Sequence, residues 1–189
     1  MKKLIILVLA LIFISMIIYS INSIKNKNYS LISPLIENLS FEDVIKSSSL
    51  IIIGNVNNIN SFYVNKMILN DKGEPVKSYK IIVSEASVEI EEIIKGHIDE
   101  KSIRVRFLGG SINKNVMESY ELPKLTEKEK VILCLDNNNY YLGDGNYYTI
   151  FNLGKFNIKN GIIEENPLLK EKLLTLSDLI KMIKNILSP

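Results

Sequence analysis

The chain has 189 residues, 23 of them basic and 21 acidic, with a single histidine and a single cysteine. That is enough for one domain with its own core plus a terminal segment. The surplus charge is Lys2 and Lys3, and no acid precedes Glu37. The body is therefore neutral, which argues against a nucleic-acid or other polyanion partner, since displacing counterions takes a basic surplus. One cysteine excludes an internal disulfide and a multi-cysteine zinc site.

The N-terminus reads "MKKLIILVLALIFISMIIYSINS", uncharged from Leu4 to Ile21. Eighteen residues of helix span about 27 Å, close to the hydrocarbon core of a bilayer. Two readings fit residues 1–24. One is an uncleaved single-pass anchor through residues 4–21; the other is a signal segment cut near Ser23, where Ile21 is a poor residue for the cut. Either way Lys2 and Lys3 hold the short tail inside and send the rest out. The expected location is the cell membrane with the C-terminal domain outside, or secretion after cleavage.

Residues 25–39 are polar and mixed, with Pro34, and read as a spacer before a domain at 40–189. Ser40 and Asp43 form a capping-box pattern, and Phe41, Val44 and Ile45 share a helical face, so a short helix is expected at 41–48. Then the period changes to that of strands. "SLIIIGNVNNINSFYVNKMIL" and "VKSYKIIVSEASVEIEEII" flank the turn cluster "DKGEP". In the second, Tyr79, Ile81 and Val83 lie on one face, and Ile82, Ala86, Val88 and Ile90 on the other. In "KSIRVRFLGG", Ile103, Val105 and Phe107 alternate with Arg104 and Arg106. "EKVILCLD" is apolar on both faces, as a buried strand requires, and Cys134 within it reads as a small buried hydrophobe. "YYLGD" and "YYTIFNLGKFNIKNG" continue as a strand and a last strand or hairpin. "TLSDLIKMIKNIL" closes the chain as an amphipathic helix capped by Thr175 or Ser177.

Five to six short strands with a terminal helix indicate a mainly β fold, a small antiparallel OB-like barrel in which closure removes exposed edges. A β-sandwich is the alternative. The runs "SLIIIGNV", "ASVEIEEIIKG", "IRVRFLGG", "ELPKLTEKEKVILCL" and "YYLGDGNYYTIFNLGKFNIKNG" resemble a β-barrel domain common in secreted and surface proteins of Gram-positive bacteria. Its pattern is "LIVxGxV … VxxVxKG … GG … GEkvLLFL". The strand order is also similar to the OB-type netrin-like domain of tissue inhibitors of metalloproteinases. Those inhibitors chelate zinc through an N-terminal cysteine, which this chain lacks, so the resemblance carries over the fold and not that activity. Lys128 stands before Glu129 where the pattern has glycine.

The chemistry legible in these residues is sparse. His97 follows Gly96 and precedes Asp99 and Glu100, a polar turn, and no second histidine exists to pair with it. Glu85, Glu89, Glu91 and Glu92 lie on the strand before that turn, opposite or diagonal to Arg104 and Arg106. The two arginines are a candidate patch for an anionic ligand. Tyr140, Tyr141, Tyr147 and Tyr148 are adjacent pairs, so one of each pair faces outward and is a candidate binding surface. Asp136 and Asp144 lack the spacing of a calcium loop. No GxSxG, HExxH or phosphate-cradling loop occurs. The expectation is therefore no metal, no cofactor, no catalytic set, and a membrane-anchored envelope module that binds an envelope protein or ligand. An envelope glycan hydrolase using carboxylates alone stays open, because such pairs are made in space. An OB-type nucleic-acid binder is the weakest alternative.

Overall fold

The computed structural model describes residues 28–32, 39–119, 122–137, 142, 146–164, 166–169 and 174–188. Its strands are β1 (Asn28–Ile32), β2 (Leu50–Leu69), β3 (Pro75–Lys95), β4 (Ser102–Leu108), β5 (Gly110–Ile112), β6 (Asn115–Ser119), β7 (Lys130–Asp136), β8 (Tyr148–Lys159), β9 (Ile162–Ile163) and β10 (Leu174–Thr175). Its helices are α1 (Phe41–Ser47) and α2 (Leu176–Leu187). The protein is mainly β. Residues 1–24, read above as anchor or signal segment, lie outside the described residues. Among the described residues no helix is long and apolar enough to cross a membrane.

The larger sheet has seven strands in the order β10-β9-β8-β4-β3-β2-β7, and β7 also pairs with β8. It curls on itself without closing into the small antiparallel barrel expected. Its return runs through β8, whose pairing with β4 is parallel and two residues long, Val105 with Tyr148 and Arg106 with Thr149. The cause lies within β8. Its pairing with β7 jumps between Leu133↔Lys155 and Leu135↔Ile150. Leu153 there adopts φ +60°, and a bulge of this kind bends a strand. Buried Asn166 pins the bulge, donating to the carbonyls of Leu153 at 3.2 Å and Lys155 at 2.8 Å.

A second sheet, β1-β6-β5, covers part of the first. β5 and β6 form a hairpin, and β1 adds to β6 in parallel, Asn28 opposite Asn115. The stretch read as a spacer thus contains a strand.

Burial follows the sequence periods closely. Val131, Leu133 and Leu135 of β7 enter one core with Ile103, Val105 and Phe107 of β4 and Ala86 and Val88 of β3. Ile132 and Cys134 point the other way, into a second core with Phe156, Leu179, Ile183 and the α1 residues Val44 and Ile45. Both faces of β7 are covered, which is why its run is continuously apolar. Ile81, Ile82 and Val83 are all buried with Met117 of β6. The two sheets together therefore cover both faces of β3 there. Both helices carry complete capping boxes, Ser40 with Asp43 and Thr175 with Asp178. Hydrogen bonds from the cap side chains and backbone hold Asp43 and Asp178 below the ordinary aspartate range. At the other end of α1, Lys95 donates to the carbonyls of Ile45 (3.0 Å) and Lys46 (2.7 Å), satisfying acceptors that a helix C-terminus leaves open. Burial lowers the Lys95 pKa there.

Candidate functional site

A cleft of about 700 Å³ opens between the two sheets, within the range of small-ligand sites. β2 contributes Ile59, Asn60 and Ser61, and β3 contributes Ser84. The end of β4 gives Phe107 and Leu108, and β6 gives Val116 to Ser119. Gly109, Gly110 and Ser111 and, further along the chain, Leu122, Lys124 and Leu125 complete the lining.

A hydroxyl relay joins three of the lining residues. Ser84 Oγ donates to the Gly109 carbonyl at 2.7 Å. A serine hydroxyl has one hydrogen, so across the 2.8 Å contact of the two hydroxyls Ser61 is the donor and Ser84 the acceptor. Ser61 is thereby left with acceptor capacity only. Gly110 must be glycine twice over. Its φ is +133°, and a Cβ would overlap the Ser84 hydroxyl and lie 2.5 Å from that of Ser61. The cleft thus offers hydroxyl and backbone groups between apolar side chains, with Glu118 and Lys124 the formal charges among its described residues.

This lining has limited catalytic means. Serine nucleophiles need a base within hydrogen-bond reach, and Ser61 and Ser84 are turned to each other. His97 sits in the β3–β4 turn, at the far end of β4 from the cleft, about 20 Å away at strand rise. Its side chain is 86% exposed and touches Asp99 at 3.1 Å. Gly96 before it takes φ +87° where a Cβ would meet the Ser49 carbonyl at 2.7 Å. The segment is a solvated turn, as its residues imply. Among the described residues of the lining Glu118 is the one carboxylate, whereas glycan cleavage uses a facing pair. Among the described residues no group of three or more His, Cys, Asp or Glu side chains could hold a metal.

The arginine pair divides. Arg104 is exposed, 3.9 Å from Glu85. Arg106 is buried at 7% exposure. Its Nε donates to Glu85 Oε2 at 2.6 Å and its Nη1 to the Leu142 carbonyl at 2.9 Å. Its guanidinium lies 4.1 Å from the Tyr147 ring centre and 5.0 Å from that of Phe62. Glu85 is the acid of the β3 series that meets the arginines. Glu91 pairs with Lys130 and Asn55, and Glu92 lies 3.9 Å from Lys184. Tyr147 is buried over Arg106, and its hydroxyl accepts from the Leu142 N–H at 3.3 Å. Tyr148 is half-buried against the first core. Tyr140, Tyr141 and Asp144 lie outside the described residues.

The sequence reading passed over Ser61, Ser84 and Met117. Met117 lies in the "GGSINKNVMES" run, where two glycines after an alternating strand mark a close backbone approach; Ser61 and Ser84 lie on β2 and β3, away from that run. No protein-family model matches the chain, and no curated protein matches it in sequence.

Proposed function

We propose that the protein is a membrane-anchored, extracytoplasmic, non-enzymatic binding module whose recognition surface is the cleft between the two sheets. The observation that carries this reading is the cleft's lining. Hydroxyls, backbone and apolar walls in one concave surface suit recognition of an uncharged or extended ligand, such as a segment of an envelope protein. The apolar, uncharged run 4–21 supports the anchor. We further assign the curled sheet to the OB type. The pairing order β2-β3-β4-β8-β7, the parallel β4–β8 seam and the return of β7 to β2 support that assignment.

The test is crosslinking of the full-length protein in intact cells, with partners and the mature N-terminus read by mass spectrometry. Ser111, an exposed residue of the cleft lining, is changed to Trp in parallel to fill the cleft. A single enriched envelope partner that Ser111→Trp loses, on a protein with an intact N-terminus, is the expected result. Partners unaffected by Ser111→Trp refute the cleft as the surface. A free protein starting after Ser23 refutes the anchor.

A further inference from the structure

The β2–β3 hairpin runs well past the sheets that cover its base. From Pro75 to Lys80 every residue is exposed. Yet the arm carries large apolar side chains, with Met67 at 65% and Val76 at 66% exposure, and Tyr63 and Tyr79 behind them. A lone two-stranded ribbon buries neither of its faces, so the fold itself gives these residues no core. The arm also departs from the neutrality of the body. Lys66, Lys72, Lys77 and Lys80 face only Asp71 and Glu74 between Tyr63 and Lys80. Apolar side chains, tyrosines and a modest lysine surplus are the mixture that settles at an anionic lipid–water interface, where lysine stems cover apolar surface and their ammonium groups reach the headgroups.

The path of the chain brings the arm to that interface. β1 begins at Asn28, opposite Asn115 at the head of β6. The Asn115 side chain donates to the Tyr63 hydroxyl at 2.6 Å. β1 thus starts beside the root of the arm. Residues 22–27 join it to Ile21, and six extended residues reach at most about 20 Å. From Tyr63 to the turn at Asn70 the arm itself measures about 24 Å. The two lengths match, so a domain tethered at Asn28 keeps the arm within reach of the bilayer. Strand alternation puts Tyr63, Asn65 and Met67 on one face with their partners Ile82, Lys80 and Ser78, and Lys66 and Ile68 on the other with Tyr79 and Lys77, so Lys80 is the strand lysine of the Tyr63 face and Lys72 lies in the turn at the tip. The Asn115 contact is on the Tyr63 face, and Asn115 is the residue opposite which β1 begins.

We propose that the β2–β3 arm lies on the outer surface of the bilayer with its Tyr63–Met67 face against anionic headgroups, a second membrane contact that fixes how the cleft is presented. This rests on the anchor reading above for the tether, and the test separates the two. Full-length protein carrying Met67→Cys, Ile68→Cys, Asp99→Cys or Ile12→Cys is labelled in detergent with an environment-sensitive fluorophore. It is then reconstituted into phosphatidylglycerol or phosphatidylcholine vesicles containing spin-labelled quencher lipid. Cys134 is fully buried and stays in place. The expected result is quenching at Met67 several-fold above that at Asp99, weaker quenching at Ile68, and a loss of the Met67 signal in phosphatidylcholine. Quenching at Met67 no greater than at Asp99 overturns the proposal, whatever Ile12 shows. Quenched Ile12 in that case leaves the anchor standing, and unquenched Ile12 removes it as well. A Met67→Cys disulfide between two copies, with no lipid quenching, overturns it in favour of a second copy of the chain.

Discussion

Arg106→Met tests whether the arginine belongs to the wall of the fold or to a ligand. The structure gives it at least four partners: Glu85, the Leu142 carbonyl, and the rings of Phe62 and Tyr147. Removing one member of a buried ion pair costs about 3–5 kcal/mol, because the charge left behind is desolvated and unpaired. Glu85 retains 22% exposure, so water recovers part of that, and methionine keeps part of the packing between the rings. The net expectation is a loss of about 2–3 kcal/mol, or roughly 5–10 °C in Tm for a chain of this size. Glu85→Leu joined to Arg106→Met removes the orphaned charge, so the double variant should be more stable than Arg106→Met alone. Thermal melts of the full-length protein in mild detergent, followed by circular dichroism across the double-mutant cycle, measure both. A change under about 0.5 kcal/mol for Arg106→Met, the size of an ordinary surface substitution, would refute the reasoning. It would return the guanidinium to the list of ligand-binding groups.

Thr175→Ala removes the cap hydroxyl of α2 and should cost about 1 kcal/mol, read from the same melts. Asp178 titrates below the ordinary aspartate value in the folded state. Its contribution is thus present above the unfolded value, near pH 4, and is lost as pH falls through the lower folded value. Asp178→Asn should therefore flatten the acid limb of the stability profile and change nothing in its shape above about pH 5; an unchanged acid limb counts against the cap. Burial pushes the Cys134 thiol up to about 12, against a weaker lowering by Ser48. Iodoacetamide at pH 8 should alkylate it on the order of a thousandfold more slowly in native than in urea-unfolded protein. Equal rates would mean that β7 is open to solvent. Lys128 holds φ +68° in the turn before β7, a conformation costly for a side-chain-bearing residue and free for glycine. Lys128→Gly should stabilise by ~0.5–1 kcal/mol after the backbone entropy of glycine is set against the relieved strain; a loss of stability would show that the lysine side chain holds the turn.

What could be read from the sequence is what local period and local chemistry dictate. Ser40 with Asp43 marks a helix start within four residues, and that box forms; of the two caps open for the last helix, Thr175 and Ser177, the structure uses Thr175, with Asp178 closing a second box. The unbroken apolar run of β7 required cover on both faces, and it has it. The alternation of Ile103, Val105 and Phe107 against two arginines placed β4 correctly. The same alternation treated Arg104 and Arg106 as equals, and here the local rule stops. A period of two assigns a side, but whether that side is covered depends on chain that arrives from elsewhere. Over Arg106 the cover is Phe62 from β2 and Tyr147 from beside β8, neither of which leaves a trace near residue 106. Strands β1, β5 and β6 escaped for a related reason. They are three to five residues long and mostly polar, so their pairing energy comes from one another and not from a stripe of their own. Because β5 and β6 form one wall of the cleft, the site stayed hidden with them. The β2–β3 hairpin is the converse case. Met67 and Val76 belong to strands whose inner halves are core, but between them and that core their own faces carry Asn65, Ser78 and Lys80. Large apolar side chains at the hairpin's outer end still read as core from sequence; they are exposed because the pairing of β4 along β3 ends at Val83 with Leu108.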